Sequence, residues 1–346
     1  MMKKVVCFFI VLILCVVSIK VSANYDQYIS KSYIVMDANN KNVIEGKNIH
    51  LVRNVASVSK IMTALVAIEK GNLDKEITIL EEDLNTYGSS IYLKAGNTIS
   101  LLDLIYGLML RSGNDAALAI ARGVSGSVEE FVVLMNEKAS DIGMKNSLFN
   151  NPSGLDANEE GNFSTSYDLA ILMSEAISNE LFAKIINTKS YKSEIGTWKN
   201  KNKLLTNYKY NLGGKTGFTD KARRTLVSAS RKDETTFIVV TLDCGNDFNF
   251  HKFLYEKNFE KYQSFKVLSK GKNYIEDYII DCNEDIYATL EINILGENKL
   301  IHKIDGKETR VYVSNINKDE LIGVCSISIN ESNKIKGFKK WINIFK

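Results

Sequence analysis

The sequence predicts an α+β domain, in which helices cover an antiparallel sheet, followed by a small all-β domain. Helical patterns dominate from about residue 100 to residue 186, and strand-like segments stand on both sides of this block. Beyond about residue 263 only short segments of alternating polarity follow. Strands that flank a block of helices are typical of a sheet packed against helices, so the helical block and the later segments predict two domains.

The first 23 residues are predicted to be a cleaved secretory signal. Lys3 and Lys4 precede an apolar run at residues 5–17, and Val21-Ser22-Ala23 offers the small residues of a cleavage site. The apolar run is shorter than the roughly 20 residues that cross a bilayer. We therefore expect an exported protein whose mature chain starts at Asn24, with roughly 320 residues for one large and one small domain.

Composition argues against several classes of function. A formal net charge of +3 is too small to suggest a nucleic-acid-binding protein. The histidines lie far apart, at His50, His251 and His302, and the chain has no C-x-x-C pair. We therefore expect no metal site and no cofactor. Three cysteines remain after cleavage, at Cys244, Cys282 and Cys325, and no disulfide framework is predicted from them.

The first elements after the signal are predicted as two strands and a buried helix. The strands cover residues 33–37 and 42–45, around a turn at residues 38–41. The helix runs over residues 57–70 and stops at Gly71. Because this helix is apolar on nearly every side, it is expected in the middle of the domain.

Further helices and strands complete the predicted large domain, residues 24–263. Ser100 and Asp103 form a capping box that opens a helix. The later helices are predicted at residues 115–122, 128–142 and 167–178, and the later strands at 225–230 and 236–243. Short strands at residues 287–294, 310–313 and 323–329 predict the small β-rich domain, residues 264–332.

The last segment, residues 333–346, differs from both domains. Its apolar residues are Ile335, Phe338, Trp341, Ile342 and Phe345, and they alternate with Lys334, Lys336, Lys339, Lys340 and Lys346. Helical spacing would place the apolar residues on one face, although Gly337 weakens the helix by about 1 kcal/mol relative to alanine. We expect an amphipathic helix on an anionic membrane surface, and an ordinary packed terminal helix is the alternative.

The buried helix opens with Ser57-Val58-Ser59-Lys60, which places a lysine one helical turn from a serine. Lys60 can activate Ser57 only if its pKa, ordinarily about 10.4, is lowered by burial and by another cation. At a helix N-terminus the Ser57 N–H can also face developing negative charge. The same spacing recurs at Ser269 and Lys272, where we expect no function, so this motif alone is weak.

Two more polar motifs follow. Ser112-Gly113-Asn114 lies between two helices, and Lys215-Thr216-Gly217 follows two glycines at the start of a strand. Alone, the first is most often a loop with an N-cap at Asn114, and the second is most often an edge strand or a hairpin entry. With Ser57 and Lys60 they supply a nucleophile, a base, two hydroxyls, an amide and a second cation. This combination is far more specific than any one motif.

The three motifs together resemble the penicillin-interacting serine enzymes, whose S-x-x-K, S-x-N and K-T-G elements line one cleft. The chain is most similar to the low-molecular-mass penicillin-binding proteins that are serine-type D-alanyl-D-alanine carboxypeptidases. Residues 87–93, 110–117, 154–156, 163–165 and 214–219 share the resemblance, which covers most of residues 33–262. It implies a DD-peptidase/β-lactamase-like fold for the large domain.

The resemblance also implies catalytic roles. Ser57 would attack the carbonyl of the penultimate D-Ala of a peptidoglycan stem peptide, and Lys60 would take its proton. Ser112 would relay a proton to the departing D-Ala. β-Lactam antibiotics would be covalent inhibitors, and the enzyme would work at the outer face of the cytoplasmic membrane or in the cell wall.

Other residues are implied to bind the substrate. Asn114 would hold a substrate amide and orient Lys60, while Lys215 and Thr216 would receive the terminal carboxylate. The backbone N–H groups of Ser57 and Phe218 would form the oxyanion hole.

Three features of the sequence depart from the family pattern. Val55 stands where relatives usually have proline, and Arg223-Arg224 replaces a small residue and an aromatic one. Several relatives place an arginine near the substrate carboxylate after the next strand, where this chain has only His251 and Lys252. The full set of groups that neutralise the carboxylate is therefore left open.

Three other functions could be built on the same motifs or scaffold. A class A-like β-lactamase needs a glutamate that activates the deacylating water, and residues 114–215 contain no E-x-x-L-N. A D,D-endopeptidase on the same scaffold stays open, because it differs only beyond the scissile bond. A non-catalytic wall-binding protein is disfavoured, because decay should have broken at least one of the intact motifs.

Overall fold

The computed structural model describes residues 29–156, 161–275, 278–293, 299–305, 308–314, 319–329 and 341–342. The predicted signal, residues 1–23, lies outside this part of the chain. No helix within the described ranges is long and apolar enough to span a membrane.

A five-stranded antiparallel sheet forms the centre of the large domain, in the order β2-β1-β11-β10-β9. The strands are β1 (Ser30–Asp37), β2 (Val43–Lys47), β9 (Asn211–Thr219), β10 (Arg223–Lys232) and β11 (Thr235–Cys244). Because β1 pairs with β11, the two ends of the domain meet in one sheet. The predicted strands at residues 33–37, 225–230 and 236–243 are confirmed.

Helices pack on both faces of the sheet. One face shares a hydrophobic core with α1 (Lys60–Lys70), α2 (Leu101–Arg111), α3 (Asn114–Ser125), α4 (Val128–Asp141), α5 (Ser166–Ser178) and α6 (Glu180–Asn187). Of these helices, α5 and α6 make the main contacts with the strands. The other face meets α8 (Asp247–Lys261), since Leu226 and Phe237 share a core with Phe250 and Leu254. The α+β prediction is confirmed, and α1 is buried among the other helices as expected. Helix α6 falls within the helical block predicted at about residues 100–186, although it was given no bounds of its own, and α8 was not predicted from the sequence.

Short elements complete the large domain. They are the pairs β3 (Arg53–Asn54) with β6 (Phe163–Ser164), β4 (Glu76–Thr78) with β5 (Thr98–Ser100), and β7 (Ser190–Ser193) with β8 (Gly196–Lys199), and the helix α7 (Leu204–Asn207). Half of the predicted capping box of α2 is present, because the Ser100 hydroxyl accepts the Asp103 N–H at 3.1 Å. The Asp103 carboxylate instead accepts the Tyr191 hydroxyl.

The C-terminal part is all-β where the structure describes it. β12 (Tyr262–Leu268) pairs with β15 (Ile286–Glu291). A six-stranded sheet follows in the order β13-β14-β18-β17-β16-β19. Its strands are β13 (Gly271–Ile275), β14 (Tyr278–Cys282), β16 (Lys299–Asp305), β17 (Glu308–Ser314), β18 (Asp319–Ile329) and β19 (Trp341–Ile342). The predicted boundary at residue 263 falls inside β12 and stays a prediction.

The cysteines correct one expectation. Cys282 on β14 and Cys325 on β18 form a disulfide, although no disulfide framework was predicted. The two strands are neighbours in the six-stranded sheet, and this pairing brings together residues 43 positions apart. Linear spacing carries no sign of such a pairing. Cys244 is free and buried.

The predicted C-terminal helix is wrong at the two tail residues that the structure describes. Trp341 and Ile342 form β19 and pair with Ile301 and Leu300 of β16. The other residues of the predicted helix lie outside the described residues.

Candidate active site

Ser57 lies in a 3₁₀ turn, Ala56–Ser59, that leads directly into α1. Hydrogen bonds hold the turn from both sides: the Thr225 hydroxyl donates to the Val55 carbonyl at 3.0 Å, and the Val55 N–H donates to the Asn162 carbonyl at 3.1 Å. A proline at position 55 could not make the second bond. The turn is therefore anchored to β10 and to the β6 segment even though the usual proline is missing.

Lys60, one turn later, is completely buried, and its Nζ reaches three oxygen atoms. It lies 3.2 Å from the Ser57 Oγ and 2.7 Å from the Asn114 Oδ1, and it donates to the Ser153 carbonyl. Burial holds the pKa of Lys60 well below its ordinary value, and the charges of Lys215 and Lys201 lower this pKa further. Lys60 thus meets the condition for a neutral base beside Ser57.

The second motif lies between α2 and α3. Ser112 ends α2 in the left-handed conformation, with φ at 66°, which is uncommon for a residue other than glycine and often occurs at functional sites. Gly113, not Asn114, takes the N-cap position of α3. The Asn114 side chain is thereby free to accept from Lys60 and to donate to the Tyr87 carbonyl.

The third motif lies in the middle of β9, at the edge of the sheet. The Lys215 Nζ donates to the Ser112 Oγ at 3.0 Å and to the Thr216 carbonyl at 2.7 Å. Burial, and then the charge of Lys201, lowers the pKa of Lys215 to about 7. Lys215 therefore links the third motif to the second, as Asn114 links the second to the first.

Gly217 lets the β9 backbone approach the Ser57 turn closely. A Cβ at this position would lie 3.0 Å from the Ser57 nitrogen and 2.4 Å from the Thr225 hydroxyl. The next residue, Phe218, leaves 57% of its surface exposed at the cleft. The glycine therefore brings the backbone that leads to Phe218 close to the Ser57 N–H.

These residues open into one cleft of about 650 Å³. From the predicted site it includes Ser57, Ser112, Asn114, Thr216 and Phe218. Lys60 and Lys215 are buried behind Ser57 and Ser112. The structure thus brings together all seven residues that the sequence singled out for catalysis and binding.

Several groups at the cleft are not predicted from the sequence. Lys201 precedes α7, and its Nζ donates to the Ser89 Oγ at 2.9 Å. Asp156 accepts from the Thr219 hydroxyl and, at 3.2 Å, from the Asn54 amide. No motif marks Lys201, and the Ser153 acceptor is a backbone carbonyl, which leaves no trace in a sequence.

Arg224, noted in the sequence only as a departure from the family, also lines the cleft. Its guanidinium lies 2.7 Å and 3.0 Å from the two carboxylate oxygens of Asp247. His251, by contrast, is buried between the Ser228 and Thr241 hydroxyls, and burial lowers its pKa to about 3. His251 is therefore a core residue of the α8 face.

The second S-x-x-K motif, at Ser269 and Lys272, lies outside the cleft. Ser269 lies between β12 and β13, on the C-terminal side of the molecule, and its N–H donates to the Asn273 amide oxygen at 2.9 Å. Among the described residues, no group of three or more His, Cys, Asp or Glu side chains could hold a metal ion.

Comparison with protein families gives one match that covers most of the large domain. The profile of the D-alanyl-D-alanine carboxypeptidase family matches residues 19–246. The D-alanyl-D-alanine carboxypeptidase DacF of Bacillus subtilis is 32% identical over 273 residues, which cover 71% of this chain and 69% of the relative. The D-alanyl-D-alanine carboxypeptidase DacA of Escherichia coli K12 is 28% identical over 335 residues, or 87% of this chain and 80% of the relative.

Solved structures show the same likeness. Penicillin binding protein 5 from Haemophilus influenzae superposes with a TM-score of 0.78 at 25% identity, covering 88% of this chain and 97% of that protein. The D-alanyl-D-alanine carboxypeptidase from Mycobacterium tuberculosis gives a TM-score of 0.64 at 28% identity, covering 66% of this chain and 90% of that one. The first of these spans both the large domain and much of the C-terminal β-rich part.

Proposed function

This chain belongs to the D-alanyl-D-alanine carboxypeptidase family, and we propose that it removes the terminal D-Ala from peptidoglycan stem peptides through an ester at Ser57. The observation that carries the proposal is the contact between the Ser57 hydroxyl and the buried amine of Lys60, at 3.2 Å. A serine needs a base to become a nucleophile, and a lysine whose pKa is strongly lowered can be that base.

Acylation starts when the Ser57 Oγ attacks the carbonyl carbon of the penultimate D-Ala and the Lys60 Nζ takes its proton. The negative charge that develops on the carbonyl oxygen is stabilised by the N–H groups of Ser57 and Phe218. One such donor is typically worth about 10²–10³ in rate. The close approach of β9 at Gly217 supports this pairing of donors.

The leaving D-Ala needs a proton on its nitrogen. Ser112 supplies it and in turn receives the proton that Lys60 took from Ser57, so Lys60 returns to its neutral form. Lys215, which donates to the Ser112 Oγ, supports this relay. Lys215 and Thr216 hold the terminal carboxylate. Because the pKa of Lys215 is lowered to about 7, an approaching carboxylate favours its charged form. Asn114 orients Lys60 through their hydrogen bond and holds the substrate amide.

Hydrolysis of the ester separates this proposal from a β-lactamase. A β-lactamase uses a dedicated carboxylate to activate the water, and such a base is typically worth about 10²–10⁴ in rate. The carboxylates that line the described part of the cleft belong to Asp156, Asp220 and Asp247. Asp156 accepts from Thr219 and Asn54, and Asp247 is paired with Arg224. We therefore expect slow release of penicillin and repeated turnover of peptide.

Fluorescent penicillin tests the nucleophile. Labelling should be lost in Ser57→Ala and kept in Ser269→Ala, the matched serine of the second S-x-x-K. The wild type should also release one D-Ala from a peptide that ends in D-Ala-D-Ala. Labelling that survives in Ser57→Ala but disappears in Ser269→Ala would refute the assignment of the site.

The lifetime of the penicillin adduct tests the choice between enzymes. After free penicillin is removed, intact mass should show the adduct on Ser57 for minutes or longer, because the tethered leaving group obstructs water. Loss of the adduct within seconds, with no D-Ala release from peptide, would favour a β-lactamase. Cleavage of cross-linked peptides in preference to the D-Ala-D-Ala terminus would favour a D,D-endopeptidase.

We also propose that the enzyme is exported and is held at the outer face of the cytoplasmic membrane by residues 333–346. Five lysines and no acidic residue in this segment support attraction to anionic lipid, and its large apolar residues can enter the interface. Each large apolar side chain that is buried contributes roughly 1.5–3 kcal/mol. Since Trp341 and Ile342 pair with β16, the membrane-bound form must exchange these strand contacts for lipid.

Sedimentation with anionic phospholipid vesicles tests the tail. Truncation after Glu331 should move the protein into the supernatant and leave D-Ala release from a soluble peptide intact. Replacing Lys334, Lys336, Lys339 and Lys340 by glutamine keeps the apolar residues and should weaken sedimentation. Equal sedimentation of the full-length and truncated proteins would rule out the anchor.

A further inference from the structure

Lys201 belongs to none of the three motifs, yet it lies in the wall of the cleft beside them. Its Nζ donates to the Ser89 Oγ at 2.9 Å, and its backbone N–H donates to the carbonyl of Leu110, near the end of α2. Leu110 is two residues before Ser112. Lys201 is therefore attached on one side to the loop that carries Ser89 and on the other to the segment that carries the second motif.

Both neighbours of Lys201 are anchored by their side chains. The Asn200 amide donates to the Thr188 carbonyl at 3.0 Å and accepts the Asn202 N–H at 2.9 Å. Asn202 is buried and donates to the amide oxygen of Asn211, the first residue of β9, at 3.3 Å. These contacts fix the segment to β9, the strand that carries Lys215. The backbone of Lys201 is therefore held in place, unlike the backbone around an ordinary mobile surface lysine.

Positive charges outnumber negative ones around the buried amine of Lys60. Lys60 faces the cations Lys215, from β9, and Lys201, from the segment before α7, while the carboxylate that acts on it is Asp115, from α3. The pKa of Lys201 is itself lowered, first by burial and then by the charge of Arg111, from the end of α2. The Asp115 oxygens already accept the Ser90 hydroxyl and the N–H groups of Ile91 and Leu93.

Lys201 acts on both motif lysines through its charge. It lowers the pKa of Lys60, and after burial its charge is the cause that lowers the pKa of Lys215. A fixed cation at this position therefore disfavours protonation of the two amines while the cleft holds no substrate carboxylate.

We propose that Lys201 is a positioning residue of the active site, a third cation that is held against Ser89 so that Lys60 stays unprotonated and able to accept the Ser57 proton. The proposal rests on the function proposed above for Ser57 and Lys60. Lys201 acts through Lys60 and does not itself accept or donate the catalytic proton.

The test is the pH dependence of kcat/KM for D-Ala release from a D-Ala-D-Ala peptide. In Lys201→Gln the loss of the positive charge raises the pKa of Lys60, so the acidic limb of the profile should move to higher pH by about one unit. On the acidic limb, kcat/KM of Lys201→Gln at a given pH should be about tenfold lower than that of the wild type. At higher pH, where the wild-type profile is flat, the two kcat/KM values should approach each other. Lys201→Arg keeps the charge and should restore the wild-type limb.

Lys199→Gln is the matched control, because Lys199 is an exposed lysine of β8 outside the cleft, and its profile should equal that of the wild type. The same shift should appear in the pH dependence of penicillin acylation. A uniform loss in Lys201→Gln with an unmoved acidic limb, or a shift that Lys201→Arg does not reverse, would overturn the proposal. A wild type that releases no D-Ala would instead refute the proposed function.

Discussion

The side chains of Lys60 and Lys215 are fully buried. Burial of an amine does not by itself stabilise the fold, because the amine loses its hydration. Both pKa values are lowered mainly by this burial. Because a buried amine loses its hydration, the folded protein favours the neutral form, which the unfolded chain does not. Stability and catalysis are therefore opposed at these residues, as is common in active sites.

Lys60→Met should change how stability depends on pH. Between the lowered pKa of Lys60 in the fold and the ordinary lysine value, the unfolded wild-type chain binds more protons than the folded one, so its stability rises with pH. The variant lacks this contribution. From pH 7 to pH 9 the wild type should gain free energy of unfolding relative to the variant, by up to about 1.4 kcal/mol per pH unit.

Urea unfolding at pH 7, 8 and 9 measures this difference, with Lys199→Met as the control at an exposed lysine. The Lys199→Met curve should run parallel to that of the wild type. A Lys60→Met curve that also runs parallel would show that Lys60 is not held neutral in the fold.

At the scale of elements, the first turn of α3 shapes the loop at residues 87–93. Asp115 accepts the N–H groups of Ile91 and Leu93 at 3.1 Å each, and Asn114 donates to the Tyr87 carbonyl. This loop carries Ser89, the partner of Lys201. One helix terminus therefore fixes both Asn114, which contacts Lys60, and the opposite part of the cleft wall.

Asp115→Ala should loosen this loop. Loss of the acceptor leaves the Ile91 and Leu93 N–H groups without their partner, at a cost of about 1–3 kcal/mol for each buried group. Hydrogen exchange followed by mass spectrometry should therefore show faster exchange of residues 87–93. Asp141→Ala, at the exposed end of α4, should leave the loop unchanged. Equal exchange in both variants would contradict the assigned role of Asp115.

At the scale of the whole molecule, Asp37 joins the central sheet to the C-terminal β-rich part. It is fully buried at the end of β1, where one oxygen accepts the N–H groups of Asn39 and Asn40. The other oxygen accepts the hydroxyls of Ser264 on β12 and Thr289 on β15. A single carboxylate thus satisfies donors from both parts of the chain.

Asp37→Ala should weaken this junction. The buried hydroxyls lose their acceptor, so limited proteolysis should cut the chain after residue 262 faster than in the wild type. Penicillin acylation should be unchanged, because Asp37 does not line the cleft. Asp74→Ala, at an exposed aspartate, is the control. Unchanged proteolysis would show that other contacts hold the two parts together.

The Cys282–Cys325 disulfide should stabilise the six-stranded sheet and leave the stability of the large domain unchanged. Closing a loop of this length is worth about 4 kcal/mol in the chain-entropy account. In a Cys282→Ala/Cys325→Ala double variant, thermal unfolding of the C-terminal part should occur at a lower temperature. Labelling by penicillin at low temperature should persist. An unchanged transition would mean that the disulfide does not limit the stability of this sheet.

The sequence by itself determined the fold class, the buried helix α1 and the set of residues that meet at the cleft. These follow from short-range patterns, because apolar periodicity reports which side of an element is buried. The spacing of Ser57 and Lys60 likewise reports that they share a helical face. The similarity of the three motifs to a known family then predicted that they would line one cleft.

Only the tertiary structure decided which charged groups surround the active-site lysines and which distant segments of the chain contact each other. Lys60 meets the Ser153 carbonyl across 93 residues, Lys201 meets Ser89 across 112, and Cys282 meets Cys325 across 43. Such contacts depend on packing between elements, which no local pattern encodes. The lowered pKa of Lys60 follows from the same packing, because burial and neighbouring charge are properties of the assembled fold.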